Sequence, residues 1–210
     1  MTLVSLKAEK SGNDGPLRAE FSDGSSLIFT AGYLPDSVKD PASWEAGREL
    51  NHGEEAAFEF AAACYRAEKI ALKLIARAEQ NSLVLMAKLE RRRFDSRAAR
   101  AVISSLQSRN LLDDGRYAKL WLRFRLSSGK ALSPRWLLAA LVKKGIDRES
   151  SRVALREVLD PEAEYALLLQ YLEKAGPEDS ESPARDNRQY LKSRMKREGF
   201  SSDVLERYFD

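Results

Sequence analysis

The sequence predicts a mainly α-helical protein in which a small β segment precedes three tandem copies of a three-helix repeat. Two observations support this prediction. The hydrophobic period changes from strand-like to helical near residue 50, and one short motif recurs at intervals of 52 and 54 residues. We therefore expect an N-terminal β-hairpin or meander over residues 1–50 and repeats over residues 51–110, 111–159 and 160–210.

The N-terminal segment has the pattern of a small antiparallel sheet. Three short strand-like apolar runs cover residues 3–6, 17–21 and 27–29. Breaker sequences separate these runs, and the Asp-Gly pair within SDGSS (22–26) is a typical hairpin signal. The expected result is an antiparallel ribbon or meander.

A long amphipathic helix is predicted to follow, from about Glu54 to a point between Arg77 and Asn81. Apolar residues recur there at steps of three and four, as one face of a helix requires. They are Ala57, Phe60, Ala61, Cys64, Ala71, Leu74 and Ile75.

The repeated motif is an apolar residue, a basic cluster, and a second apolar residue five positions after the first. It is LERRRF at 89–94, LVKKGI at 141–146 and MKREGF at 195–200. We expect the basic cluster to end the second helix of each repeat. Gly145 and Gly199 stand where a helix commonly stops with positive φ. Arg93 takes that place in the first copy, so we expect that helix to end less cleanly or in another geometry.

Capping residues mark several helix starts. Asn81 precedes one predicted helix, while Ser133-Pro134 and Asp160-Pro161 each combine an N-cap with proline at the first helical position. The segment 174–187 contains helix-breaking and charged residues, so we expect a longer hinge there.

The stretch LLDDGRYAKLWLRFR (111–125) raises the question whether Asp113 and Asp114 form a catalytic pair. A glycosidase-like pair needs two carboxylates facing each other across a substrate, whereas adjacent residues at a helix start point in different directions. We interpret one aspartate as the N-cap of a helix. That helix is expected to pack through an apolar stripe of Tyr117, Leu120, Trp121 and Phe124.

The scarcity of reactive side chains argues against catalysis. Cys64 is the single cysteine and His52 the single histidine, whereas a zinc site usually takes three or four such ligands. One thiol also excludes an internal disulfide, and Cys64 is interpreted as a core residue. Since no apolar run suits a signal peptide or a membrane span, we expect a soluble, cytoplasmic protein.

Charge is segregated along the chain, although the net charge is only +3. Residues 1–68 carry −6, residues 69–159 carry +13 and residues 160–210 carry −4. A basic centre between acidic ends indicates a polyanionic partner. The alternative is a solvated helical surface that favours arginine.

Several motifs occur in the order seen in one bacterial family. They are WEAGREL (44–50), LIARAEQNSLVLMAKLERRRF (74–94), LLDDGRYAKLWLRFR and LVKKGI. Together they resemble segments of the RecX family, regulators of the RecA recombinase, over most of residues 50–160. The chain departs from the family pattern at Val84, where the family commonly has Glu, and at Arg93, where it has Gly. GKALSPRW (129–136) resembles an insertion.

The resemblance implies a binding protein with no catalytic residue and no cofactor. Such proteins consist of tandem three-helix repeats in an elongated, curved arrangement. They bind RecA, particularly its filament on single-stranded DNA, and inhibit strand exchange and ATP hydrolysis by docking in the filament groove or blocking filament growth. Some also bind DNA directly, single- or double-stranded. We expect a monomer without membrane contact. The alternative is a sequence-nonspecific nucleic-acid-binding repeat protein without a dedicated RecA partner.

The candidate contact residues for RecA or DNA are basic side chains and one tryptophan. They are Arg91, Arg92, Arg93, Arg97 and Arg100 in the first repeat, Arg116, Lys119, Arg123, Trp136, Lys143 and Lys144 in the second, and Lys196 and Arg197 in the third. The alternative for each basic residue is pairing with a nearby carboxylate. Trp136 and Trp121 could also stack on bases, although Trp121 is expected in the core.

Overall fold

The structure is a computed structural model, and it describes residues 1–9, 15–38, 44–175 and 184–209. It confirms the predicted fold class, because the chain is mainly helical with a small N-terminal sheet. The chain divides into two compact units, Met1–Leu112 and Asp113–Asp210.

The N-terminal sheet is the predicted antiparallel meander. Its strands, in the order β1-β2-β3, are β1 (Leu3–Ala8), β2 (Leu17–Phe21) and β3 (Ser26–Phe29). Gly24 has a φ of +81° in the tight turn between β2 and β3, a conformation that glycine adopts without steric cost. The alternating side chains bury Ala19, Phe21 and Phe29 on one face of the sheet.

Helix α1 (His52–Ile75) contributes to two cores in the first unit. It begins with a capping box between Asn51 and Glu54. Phe58, Ala61 and Ala62 pack against the sheet, while Cys64, Ala67 and Ala71 pack against the two helices that follow. Small residues on the buried faces let neighbouring elements approach α1 closely.

The first unit is completed by α2 (Ser82–Glu90) and α3 (Ser96–Ser108). The Asn81 side chain accepts a hydrogen bond from the Val84 backbone N–H at 2.7 Å, which confirms the predicted cap. The buried residues of the two helices recur at steps of three and four. They include Leu85, Leu89, Ala99, Val102 and Leu106.

A buried carboxylate connects the N-terminal segment to the helices of the first unit. Glu68 of α1 accepts a hydrogen bond from the Tyr33 hydroxyl at 3.1 Å and pairs with the Arg109 guanidinium at the end of α3. These partners offset part of the cost of removing the charge from water. Burial also raises the pKa of Tyr33 well above its usual range, so its hydroxyl stays protonated as a donor.

The second unit contains the remaining described helices. They are α4 (Asp114–Ser127), α5 (Pro134–Lys143), α6 (Arg148–Val158), α7 (Pro161–Ala175), α8 (Ala184–Arg197) and α9 (Ser202–Phe209). Asp113, Ser133 and Asp160 accept backbone N–H groups at the starts of α4, α5 and α7, as expected. The hinge predicted over 174–187 falls largely on 176–183, which lie outside the described residues.

One core runs through the second unit and includes residues from every one of its helices described here. Its fully buried members include Leu122, Leu137, Leu141, Leu168 and Met195. The apolar residues that end the basic motifs, Ile146 and Phe200, are also buried in this core. Each basic cluster is therefore held on a turn that an apolar side chain anchors.

The second helix ends in the same way in all three copies of the motif, which corrects the expectation for Arg93. Arg93 has a φ of +64°, in the same left-handed region as Gly145 at +88° and Gly199 at +91°. Equivalent backbone hydrogen bonds close the turns, from Phe94 to Leu89 at 3.3 Å, Ile146 to Leu141 at 3.2 Å and Phe200 to Met195 at 3.2 Å. Because the next residue must return to the core, packing imposes this turn even on arginine.

Arg93→Gly is expected to raise the free energy of unfolding by about 1 kcal/mol. Glycine adopts positive φ without the steric cost that a Cβ carries, and this gain exceeds its entropic disadvantage in the unfolded chain. Urea denaturation measures the change. Gly145→Ala is the matched reverse substitution and should lower stability by a similar amount. A destabilised Arg93→Gly variant would show that the side chain makes a stabilising contact.

The buried face of α4 differs from the predicted apolar stripe. Leu120 and Phe124 are 46% and 68% exposed, so their predicted packing is wrong. Ala118 and Leu122 are fully buried instead, with Tyr117 and Trp121 packed partly against the same core. Apolar residues make up half of the fourteen in α4, so their spacing alone does not define which part faces the core.

Candidate partner-binding surface

The arginine turn consists of Arg91, Arg92 and Arg93, all exposed at the end of α2. Arg92 donates to the backbone carbonyl of Lys88 at 2.9 Å. Within the described part of the chain, no carboxylate pairs with the three guanidinium groups. The adjacent Glu90 accepts a hydrogen bond from Ser96 at 2.7 Å instead. Three positive charges are therefore presented together to solvent.

Arg97 and Arg100 extend this basic region along α3. The only acid between them and the arginine turn in sequence is Asp95, whose carboxylate caps α3 by accepting the Arg97 backbone N–H at 2.8 Å. The Arg97 guanidinium lies 4.6 Å from the ring centroid of Phe60, a cation–π contact, and the residue is exposed. Arg100 is exposed as well.

The candidate residues on α4 have different surroundings. Lys119 forms a 2.9 Å salt bridge with Glu157 of α6, so its positive charge is partly neutralised within the protein. Such exposed pairs typically contribute up to about 1 kcal/mol. Arg116 is half-buried, whereas Arg123 is exposed. Of the three, Arg123 is the most available to a partner.

Trp121 and Trp136 form a stacked pair that spacing along the chain does not reveal. Their ring centroids are 6.4 Å apart and their planes differ by 21°. The Lys144 ammonium and the Arg125 guanidinium lie 5.6 Å and 5.2 Å from the Trp121 ring centroid. Trp121 is half-buried, while Trp136 keeps 45% of its surface exposed. The pair therefore presents an aromatic surface beside two cations.

The remaining candidates lie at the ends of the second helices in the other copies. Lys143 is exposed where α5 ends, and Lys196 and Arg197 are exposed where α8 ends. The sequence predictions missed Arg125, which lies beside the Trp121 ring, and Arg135, which is exposed at the start of α5. Their surroundings depend on how α4 and α5 pack, and no local signal in the sequence reports this.

The described residues contain no cluster of metal-ligating side chains. Cys64 is fully buried, as expected for a core residue, and burial raises the pKa of its thiol to about 11. A thiol with such a pKa is a poor nucleophile near neutral pH. Among the described residues, no three His, Cys, Asp or Glu side chains are placed to hold a metal ion.

The described part of the chain contains no helix that is both long and apolar enough to span a membrane. Two compact units built mainly of packed helices, with a small sheet in the first and cationic turns exposed in both, define a mainly α-helical protein. The comparisons with known proteins agree with this class.

No protein-family model matches the chain. Regulatory protein RecX of Treponema pallidum is 37% identical over 115 residues, which cover 55% of this chain and 70% of that protein. Regulatory protein RecX of Syntrophotalea carbinolica is 29% identical over 140 residues, covering 66% of this chain and 91% of the relative. Regulatory protein RecX of Thermobifida fusca is 28% identical over 174 residues, which cover 83% of this chain and 89% of that protein.

Solved structures show the same fold. A crystal structure of regulatory protein RecX matches with a TM-score of 0.61 and 20% identity, covering 98% of this chain and 97% of the other. A crystal structure of RecX from Lactobacillus salivarius matches with a TM-score of 0.51 and 20% identity, covering 69% of this chain and 92% of the other. The chain belongs to the RecX family of regulatory proteins.

Proposed function

We propose that this chain binds RecA and its filament on single-stranded DNA, and that it mainly inhibits recombinase and ATPase activity. Membership of a family of regulatory proteins supports this role. The structural observation that supports it most directly is the arginine turn, whose three exposed charges are free of carboxylate partners among the described residues. We further propose that the protein acts as a cytoplasmic monomer without a cofactor or catalysis of its own.

The inhibitory mechanism follows from the repeated basic turns. A filament on DNA has repeated subunits beside a polyanion, and tandem repeats offer several cationic turns that can engage it together. Each added contact to a phosphate or carboxylate slows dissociation, because all contacts must break for the protein to leave. Either docking in the filament groove or blocking its growing end would then slow ATP hydrolysis.

The test is a titration of the protein into DNA-dependent ATP hydrolysis by the recombinase of the same organism. We expect inhibition at ratios well below one protein per recombinase subunit, because one bound molecule stops growth or turnover at several neighbouring subunits. Filament length, measured by electron microscopy, should fall over the same range of ratios. An unchanged hydrolysis rate and filament length at every ratio would contradict the proposal.

A second candidate function is sequence-nonspecific nucleic-acid binding without a dedicated recombinase partner. It is favoured by residues 115–146, which contain eight Lys or Arg and no Asp or Glu. Binding to bare DNA should weaken steeply with salt, by roughly 0.7 log units per phosphate contact and log unit of salt for a single strand. Recombinase binding that persists at salt concentrations removing the DNA signal would favour the first function.

A further inference from the structure

A groove beside α5 in the second unit combines aromatic walls with a cationic rim. Its volume is about 500 Å³, a size within the range of small-molecule sites. Trp136 and Tyr171 line it, together with Leu132 and Ala139, and the polar side chains include Ser133, Arg135 and Glu198. The described residues around it therefore offer flat apolar surfaces, a cation and a hydrogen-bond acceptor.

Trp136 is held in place from within the protein. It stacks on Trp121 at 6.4 Å, so this neighbour restricts the orientation of its ring. Trp136 nevertheless remains 45% exposed and lines the groove. A flat ring entering the groove would meet the exposed part of Trp136, and aromatic pairs favour offset stacked or edge-to-face contact.

Contacts within the second unit also hold Tyr171 and Arg135, which line the groove. Tyr171 of α7 is half-buried and contacts Phe200 edge to face at 5.8 Å. The Arg135 backbone N–H donates to the Glu198 carbonyl at 2.9 Å. Gly199 lies so close to α5 that a Cβ there would stand 3.1 Å from the Arg135 nitrogen. These contacts hold the α5 side of the groove against the turn after α8.

The groove carries one positive and one negative side chain, so a polyanion is favoured near Arg135 and not near Glu198. Arg135 is exposed at the start of α5, within the acid-free stretch 115–146. Glu198 lines the groove near Tyr171 and would repel an acidic side chain. The same carboxylate can accept a hydrogen bond from the exocyclic amino group of a base. A nucleic acid therefore suits these groups better than an acidic peptide.

We infer that this groove is a base-stacking site for single-stranded nucleic acid, in which one base stacks on Trp136 while the flanking phosphates lie near Arg135. Bases in a duplex are stacked on each other, so a single strand is the form that can enter. The inference rests on the proposed function in that it names the surface that meets the DNA strand. Its test uses the chain without any recombinase.

The experiment measures the affinity of the full chain for two fluorescent 12-mers without recombinase present. One is oligodeoxycytidine, whose amino groups can donate to Glu198, and the other has the same phosphates but abasic sites throughout. We expect Trp136→Leu to weaken oligodeoxycytidine binding by about tenfold, the range found for one stacked base. The abasic strand should bind more weakly and respond little to this variant. Trp136→Phe should keep part of the affinity.

Phe124→Leu is the matched control, because Phe124 is an exposed aromatic residue that does not line the groove. It should leave both affinities unchanged. Circular dichroism and thermal unfolding check that each variant is folded. Equal affinity of the parent chain for the two strands, or equal losses from Trp136→Leu on both, would overturn the inference. So would displacement of oligodeoxycytidine by polyglutamate at equal charge concentration, which would assign the groove to an acidic peptide.

The outcomes for the groove and for the proposed function are distinguishable. The 12-mer titrations contain no recombinase, so their failure would not affect the inhibition of ATP hydrolysis by the parent chain. Conversely, a chain that stacks bases at Trp136 but never inhibits the recombinase would retain the groove site and lose the proposed function.

Discussion

Reversing the charge of the arginine turn, with Arg91, Arg92 and Arg93 all changed to Glu, is expected to weaken inhibition of the recombinase by about 100-fold or more. Each arginine contributes roughly 1 kcal/mol or more when it meets an anionic partner, and 1.4 kcal/mol corresponds to a factor of ten. The substituted glutamates would in addition repel the partner. The concentration giving half-maximal inhibition of DNA-dependent ATP hydrolysis measures the effect.

The matched control is the reversal of Lys69, Lys73 and Arg77 to Glu. These residues are exposed on α1 or just after it, and their reversal changes the net charge by the same amount. Inhibition by this variant should remain close to that of the parent chain. Both variants should keep the parent stability, since exposed substitutions typically change it by about 0.5 kcal/mol or less each. Full inhibition by the Arg91–Arg93 variant would show that another surface makes the contact.

Phe58→Ala is expected to have the largest effect on stability, a loss of about 3–5 kcal/mol. Phe58 is completely buried and lies at the centre of an aromatic cluster between α1 and the sheet. Its ring centroid is 5.1 Å from those of Phe29 and Trp44 and 6.2 Å from that of Phe21. Truncation removes these contacts and leaves a cavity that the surrounding rings fill only in part.

Hydrogen exchange followed by mass spectrometry localises this effect. Peptides from the sheet and α1 should lose protection in Phe58→Ala, while urea denaturation gives the total change in free energy. Phe124→Ala is the matched control, because that ring is 68% exposed, and its stability should change by about 0.5 kcal/mol at most. Equal losses from the two substitutions would contradict the assignment of Phe58 to the core and Phe124 to the surface.

Local signals in the sequence predicted the elements well. The change in hydrophobic period places α1, and the capping residues Asn81, Ser133 and Asp160 stand at the observed helix starts. The interpretation of one of the two aspartates as an N-cap is confirmed as well, and the cap is Asp113, which accepts the Arg116 backbone N–H at 2.9 Å. These features depend on residues within about four positions of each other, so the sequence pattern reports them directly.

Predictions that depended on packing were less accurate. Arg93 was expected to end its helix differently from Gly145 and Gly199, yet all three share one turn. Intrinsic preference disfavours positive φ for arginine, but the return of the following residue to the core outweighs that cost. The salt bridge between Lys119 and Glu157 in the candidate surface also depended on packing, because it joins residues 38 positions apart. The spacing of either residue in its own helix carries no information about the other.

The sequence by itself determined the mainly helical class, the three basic motifs and the clustering of positive charge in the middle of the chain. Those properties follow from the order of residue types, which short-range periodicity and charge counts detect. Only the tertiary structure decided that Phe124 faces solvent, that Trp136 stacks on Trp121, and that Tyr171 lines the same groove. The physical reason is that the relative rotation of packed helices sets which side chains meet, and contacts across the whole core determine that rotation.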